Sequence, residues 1–275
     1  MKLTEFLAFF NVRSNMGDYN FIHEEIENGV VFKGTNLWIL IFAIVVASIG
    51  LNMNSTAVIV AAMLISPLMG PINGMGYSLA TYDFFLFNKA IKNFSFVVGT
   101  SLLTSTLYFA VTPVSTAHSE LLVRTSPTIY DMLIALFGAL AGIIAMSTKR
   151  KGNVIPGVAI ATALMPPICT ARYGLATLQF NFFFDPLYLF TINTVFIAVA
   201  ALFVCQYLRF PIRTDIGADR KKRINQYISL ILTIAIVPSV YFGYLLLQNE
   251  RFSERAQRFV SIHPSNYTLF SQNSL

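Results

Sequence analysis

Four neutral polar side chains lie beside clusters of proline and glycine in two long apolar stretches of the chain. Ser66 and Asn73 accompany the first cluster, and Thr162 and Thr170 accompany the second. Proline lacks a backbone N–H and glycine tolerates unusual backbone angles, so both stretches are predicted to be broken helices. Facing helix ends with hydroxyl and amide groups can hold a small ion or a polar solute. The predicted binding positions are Ser66, Pro67, Gly70, Pro71, Asn73, Gly74, Thr162, Pro166, Pro167 and Thr170.

The two stretches are copies of one pattern. Residues 58–84 read VIVAAMLISPLMGPINGMGYSLATYDF, and residues 154–180, which begin 96 positions later, read VIPGVAIATALMPPICTARYGLATLQF. Of the 27 aligned positions 11 are identical, and Ser66 and Thr162 are equivalent. We centre the two breaks on Pro71 and Pro167. The alternative is a pair of kinks that only shape packing, because proline and glycine are common in membrane helices.

The composition indicates a protein with many membrane-spanning helices. The 275 residues are 55% hydrophobic and only 12% charged, with a mean hydropathy of +0.64. Each predicted span is near the roughly 20 residues that a bilayer requires. A loop is predicted at residues 83–93, and the third span carries small hydroxylated residues, Ser101 among them, that favour close helix packing. The predicted spans are residues 37–51, 58–84, 94–111, 129–147, 154–180, 186–208 and 227–247.

The repeat predicts the architecture. A shift of 96 residues maps the first three spans onto the next three, and an odd number of crossings inverts the second copy. We therefore predict an all-α membrane protein of seven transmembrane helices, built as an inverted pair of three-helix repeats plus one extra helix. The predicted segments are a cytoplasmic amphipathic segment at 1–36, repeat 1 at 37–112, repeat 2 at 129–208, a basic cytoplasmic loop at 209–226, the seventh helix at 227–247 and an extracytoplasmic tail at 248–275.

The distribution of basic residues predicts the orientation. Of the 19 lysines and arginines, 14 lie on the side of the N-terminus, which the positive-inside rule places in the cytoplasm of a bacterial inner membrane. The net charge of +6 and the basic run at residues 220–223 follow from this asymmetry. Contact with anionic lipid headgroups is expected. A nucleic-acid partner is not, because the basic run lies between two spans.

Apart from Asp83, where the second span meets the predicted loop, charged groups within the predicted spans are limited to Asp131 and Arg172, both toward the outer face. They are interpreted as a salt bridge, and the alternative makes Arg172 a gate that attracts anions. No cofactor, no metal site and no enzymatic activity are expected, because all three histidines lie outside the spans and neither a zinc motif nor a nucleotide loop is present. Coordination of a sodium-like ion by carbonyls and hydroxyls remains open.

Two phrases carry a family resemblance. Residues 62–71 read AMLISPLMGP and residues 152–167 read GNVIPGVAIATALMPP, with FKGTNLW at 32–38 and NSTAVI at 54–59. These phrases resemble the bacterial hydrophobic-domain family known as domain of unknown function 389, in its Bacteroidetes type. The resemblance implies an inner-membrane protein and supplies no substrate. Longer members continue into an extracytoplasmic domain. Residues 251–275 resemble the start of that domain, so the chain is expected to be a short member or a truncated form.

Two functions follow as hypotheses. The first is a transporter or channel for a small ion or polar solute, with the permeation site formed by the two broken helices of the inverted repeat. The second is a membrane-embedded sensor or scaffold without transport activity, in which the N-terminal segment and the external tail act. Gly-rich and aromatic helix faces make a homo-oligomer the expected assembly.

Overall fold

Seven helices form most of the part of the chain that the computed structural model describes. That part comprises residues 16–112, 129–148 and 181–213, with single residues and short runs at 164–174 and 222–255. Within it the only β-structure is an isolated bridge between Met16 and Thr148. The prediction of an all-α fold is confirmed. The helices are α1 Tyr19–Val30, α2 Thr35–Asn52, α3 Thr56–Ile65, α4 Met69–Thr81, α5 Phe84–Val111, α6 Ile129–Met146 and α7 Asn181–Tyr207.

Several of these helices suit a membrane. Thr35–Asn52, Phe84–Val111 and Phe183–Tyr207 are each long and apolar enough to cross a bilayer, and α3 with α4 counts as a fourth span if the bent pair is one span. Such helices indicate a membrane-embedded protein. Most of the predicted fifth span and of the predicted seventh span, residues 227–247, lies outside the described residues, as do residues 1–15. The inverted seven-helix arrangement therefore stays a prediction.

The second span is broken, as the prolines predict. The axes of α3 and α4 differ by 51° across Ser66, Pro67 and Leu68. Pro67 and Pro71 lack the N–H groups that would bond the carbonyls of Met63 and Pro67. Those carbonyls accept instead from Ser66 N at 3.3 Å and from Gly70 N at 3.4 Å. The break therefore precedes the predicted centre at Pro71, which lies in the first turn of α4, where a missing N–H costs little.

The loop predicted at residues 83–93 is wrong, because α5 already begins at Phe84. Asp83 caps this helix, since its carboxylate accepts a hydrogen bond from Leu86 N at 2.9 Å. Lys89, which had suggested a loop, forms an ion pair with Glu27 of α1. The 28 residues of α5 extend about 42 Å, which exceeds a hydrocarbon core of about 30 Å. The basic N-terminal end of α5 can thus lie outside the core.

A tight antiparallel hairpin joins α2 and α3. Asn54 adopts a left-handed conformation with φ of 54°, and Ser55 N donates to Gly50 O at 2.9 Å. A Cβ atom at Gly50 would lie 2.8 Å from Cγ1 of Ile59. Only glycine therefore allows the two helices to approach so closely.

Two apolar clusters hold the helices together. The first surrounds the break and joins α2, α3, α5, α6 and α7 with the described part of the second copy. Leu68 and Ile72 of the first copy and their equivalents Leu164 and Ile168 are all buried in it. The second cluster contains α1, the C-terminal part of α4 and the end of α7. These two pairs of identical residues thus share one core.

Candidate functional site

Four buried oxygen atoms distinguish the region of the break. Ser66 Oγ, Asn73 Oδ1, Ser101 Oγ and Thr170 Oγ1 have no hydrogen-bond partner among the described residues. Asn73, Ser101 and Thr170 are fully buried. Each of the four lies in sequence within four positions of a residue of the first apolar cluster, namely Leu68, Ile72, Val97 and Cys169. An unpaired buried polar group costs about 1–3 kcal/mol, so native proteins have few of them.

The other buried hydroxyls of the described residues are satisfied. Most of them donate to a carbonyl three or four residues earlier, at distances of 2.7–3.0 Å. This is the usual way in which a hydroxyl is accommodated in an apolar helix. Ser105 instead pairs with Ser48 at 2.8 Å. The residues that bond to their own backbone are Ser48, Ser78, Thr81, Ser147 and Thr194. The open oxygens are therefore exceptions to a pattern that the chain otherwise follows.

The amide of Asn73 has one contact with a neighbouring helix. Its Nδ2 donates to the sulfur of Met146, at the end of α6, over 3.4 Å. The Oδ1 atom has no hydrogen-bond partner among the described residues.

The glycines of α4 allow neighbouring helices to approach. A Cβ atom at Gly70 would overlap the carbonyl of Gly29 in α1, and one at Gly74 would overlap the side chain of Val30. A Cβ atom at Gly76 would overlap the carbonyl of Ala198 in α7. Packing therefore accounts for Gly70 and Gly74. Their role in binding stays a prediction.

A polar network lies on the α1 side of α4. The phenol of Tyr77, which is fully buried, is 3.1 Å from His23 Nδ1. Lys89 Nζ donates to Glu27 Oε1 at 2.8 Å. That hydrogen bond lowers the pKa of Glu27 below its ordinary value of 4.5. Arg213 donates to Asn20 at 3.0 Å. Here each named polar side chain has a partner.

The structure describes part of the predicted site. Ser66 and Pro67 form the break, and Pro71 and Asn73 are buried in α4. Pro167 and Thr170 are buried in the described part of the second copy. Asp131 lies in the first turn of α6. Thr162, Pro166 and Arg172 lie outside the described residues, so the salt bridge of Asp131 with Arg172 stays a prediction.

Sequence reasoning missed Ser101. It was assigned to helix packing with the other small residues of the third span, and no pattern in the sequence separates it from Ser105. The two differ only in whether a partner lies opposite, since Ser105 meets Ser48 whereas Ser101 Oγ is open. The position of α2 relative to α5 decides this.

The described helices are those of a membrane-embedded protein with a broken apolar helix. Residues 63–199 match the family described as a domain of unknown function, DUF389. The chain is also 27% identical, over 169 residues, to an uncharacterized protein, MJ0678, of Methanocaldococcus jannaschii. That alignment covers 62% of this chain and 52% of the relative, so the chain spans about half of the relative's length. Both matches support assignment to the DUF389 family. No solved structure matches the chain.

Proposed function

We propose that the protein is a transporter or channel for a small ion or polar solute, with its binding site at the break between α3 and α4 and at the equivalent segment of the second copy. The observation that carries this proposal is the set of unpartnered oxygens at Ser66, Asn73, Ser101 and Thr170. A bound ligand would supply the partners that these oxygens lack in the chain. Buried unpaired polar groups that served only in packing would destabilise the protein with no functional gain.

The repeat extends the proposal to the second copy. Leu68 and Ile72 share a core with Leu164 and Ile168, as an inverted pair of broken helices around one site requires. In this arrangement the protein lies in the inner membrane of a bacterial cell with its N-terminus in the cytoplasm. A homo-oligomer would complete the assembly, and anionic headgroups would contact the basic inner face.

Flux into proteoliposomes tests this function. The purified chain is reconstituted and assayed with alkali cations, halides, ammonium and small neutral solutes, beside empty vesicles. We expect flux of at least one of these, reduced about tenfold by Asn73→Leu and retained by Thr194→Val, whose wild-type hydroxyl is already satisfied. Vesicles that match the empty control for every solute would contradict the proposal.

One observation favours a sensor or scaffold without transport. The network of His23, Glu27, Lys89 and Tyr77 ties α1 to α4 and α5. A cytoplasmic signal received by α1 could thus reach the broken helix. Glu27→Gln combined with Tyr77→Phe separates the functions, because a transporter keeps its flux whereas a sensor that works through this network loses its response.

A further inference from the structure

We propose that helices α2 and α3 move as one unit between two positions on α5 that are one helical turn apart. In the structure the hydroxyl of Ser48 pairs with that of Ser105, and in the second position it pairs with that of Ser101. Residues 35–65, which form α2, its turn and α3, are named the hairpin unit. The inference goes beyond the proposed function and does not depend on it, because it concerns contacts between helices.

The hairpin unit is compact in itself and is joined to the rest of the chain by non-helical residues. Its two helices meet at Gly50, where a Cβ atom would lie 2.8 Å from a side chain of α3. Residues 31–34 connect the unit to α1, and residues 66–68 connect it to α4. The backbones of Gly29 and Gly70 touch, so both connections end at neighbouring points. A few such residues can absorb the rotation of a whole unit.

Helix α4, on the far side of the break, is held by its neighbours. A Cβ atom at Gly70 would overlap a carbonyl of α1, and one at Gly76 would overlap a carbonyl of α7. The backbone N–H of Arg213 donates to Thr81 O at 3.0 Å and so holds the C-terminal end of α4. Movement is therefore expected at the break rather than within α4.

Two polar contacts join α2 to α5. Ser48 Oγ and Ser105 Oγ are 2.8 Å apart, and both side chains are fully buried. Asn52 Nδ2 lies 3.5 Å from the hydroxyl of Tyr108. Residue numbers rise together in the two contacts, so α2 and α5 run in the same direction. A shift of α2 toward the N-terminus of α5 therefore moves both side chains toward earlier residues of α5.

Helix α5 repeats the required partners one turn earlier. Ser101 precedes Ser105 by four residues, so the two lie on one face, and Ser101 is also fully buried. Its Oγ has no hydrogen-bond partner among the described residues. Thr104 precedes Tyr108 by four residues, and its hydroxyl, which donates to the backbone at 2.9 Å, can accept from Asn52. A shift of about 6 Å, the rise of four residues, thus gives both side chains of α2 new partners.

This shift would change the break between α3 and α4. Ser66 follows directly on α3 and moves with the hairpin unit, whereas Asn73 lies in α4 and stays with it. Their open oxygens would therefore take different relative positions in the two states. The Ser101 hydroxyl is open in the observed state and paired in the second. One-turn shifts between two discrete packings are an established kind of switch.

Disulfide trapping in proteoliposomes tests the inference. The full chain carries Cys169→Ala and Cys205→Ala, and Ser48→Cys is combined with one further cysteine on the buried face of α5. The three further sites are Ser105→Cys for the observed position, Ser101→Cys one turn earlier and Phe109→Cys one turn later. A disulfide needs Cβ atoms about 3.5–4.5 Å apart, so a pair displaced by a whole turn cannot form one in a fixed structure.

We expect rapid cross-linking with Ser105→Cys. Cross-linking with Ser101→Cys should be at least about tenfold faster than with Phe109→Cys, because the second position lies in one direction only. Equal rates for the two displaced pairs would overturn the inference, since general mobility would produce both. The absence of a product with Ser101→Cys, or with Ser105→Cys, would overturn it as well.

Spin labels at exposed positions provide a second measurement without a buried cysteine pair. Labels at Trp38→Cys of α2 and Leu107→Cys of α5, which are 60% and 66% exposed, should show two distances. The shift lengthens this distance. Ser105→Ala should raise the ratio of the long to the short distance about fivefold and Ser101→Ala should lower it about fivefold, as the loss of one hydrogen bond predicts. A single distance in all variants would contradict the inference.

Flux and trapping are independent readouts. Selective trapping with Ser101→Cys in a chain without flux supports the two positions and contradicts the proposed transporter. Flux in the wild type without such trapping leaves the transporter and overturns the two positions.

Discussion

The N-terminal and C-terminal parts of helix α4 differ in how their buried polar groups are paired. On the α1 side, Tyr77 meets His23 and Glu27 meets Lys89. At the break, Ser66 Oγ and Asn73 Oδ1 have no partner among the described residues. The same short helix therefore contains both satisfied and open polar groups. Among the described residues, this fold pairs most of its other buried polar groups. The missing partners at Ser66 and Asn73 are therefore specific to these positions.

The largest expected effect is on the packing of the α1 side. Gly70→Leu would place a side chain where the carbonyl of Gly29 lies. We expect a loss of about 3 kcal/mol in the free energy of unfolding, because backbone cannot yield as a flexible side chain can. The measurement is the thermal unfolding midpoint in detergent.

Gly99→Ala is the control for this variant. No atom lies within 4 Å of a Cβ atom built at Gly99, which is in the interior of α5. The variant should be neutral or stabilising by up to about 1 kcal/mol. Equal destabilisation by both variants would contradict a specific contact between α1 and α4.

A smaller effect is expected from the phenol of Tyr77. Tyr77→Phe removes the hydrogen bond to His23 and should cost about 1 kcal/mol. Tyr130→Phe, at a side chain that is 61% exposed, serves as the control and should change little. A stabilising Tyr77→Phe would remove the contrast between the N-terminal and C-terminal parts of α4.

The smallest effect concerns the ion pair between Glu27 and Lys89. Glu27→Gln should cost about 0.2–1 kcal/mol, because both side chains are partly exposed to solvent. The pKa of Glu27 is lowered in the folded protein, so its contribution is complete above the ordinary value of 4.5 and is lost as the pH falls through the folded value.

Unfolding midpoints measured over this acidic range check the pair. The difference between the wild type and Glu27→Gln should shrink as the pH falls. The reversed pair, Glu27→Lys with Lys89→Glu, should recover most of the lost stability. A constant difference at all pH values would show that the carboxylate charge contributes nothing.

The sequence predicted the broken helix because the prolines have a direct backbone consequence. Pro67 and Pro71 lack the N–H groups that would bond to the carbonyls of Met63 and Pro67 in a continuous helix. The helix therefore bends there. The sequence alone did not show which of the two prolines lies at the break. The structure shows that Pro71 is accommodated in the first turn of α4, where N–H groups have no helical partner in any case.

Long-range contacts explain what the sequence did not predict. Lys89 and Lys92 suggested a loop, but Lys89 finds Glu27, 62 residues earlier in the chain, and α5 continues through it. The sequence predicted Ser101 to be a packing residue. Whether its hydroxyl has a hydrogen-bond partner depends on helices that are distant in sequence. Local pattern predicts where a helix breaks, whereas only the assembled bundle shows which oxygens remain open.

One pair of variants tests most directly whether the open oxygens form a functional site. Thr170→Val removes an unpartnered hydroxyl, and Thr194→Val removes one that donates to Phe190 O at 2.8 Å. Thr170→Val should stabilise the protein by about 1 kcal/mol in a buffer without transported solute, and its flux into proteoliposomes should fall about tenfold. Thr194→Val should keep its flux and gain no stability. A Thr170→Val protein that is less stable than the wild type and retains full flux would contradict the account.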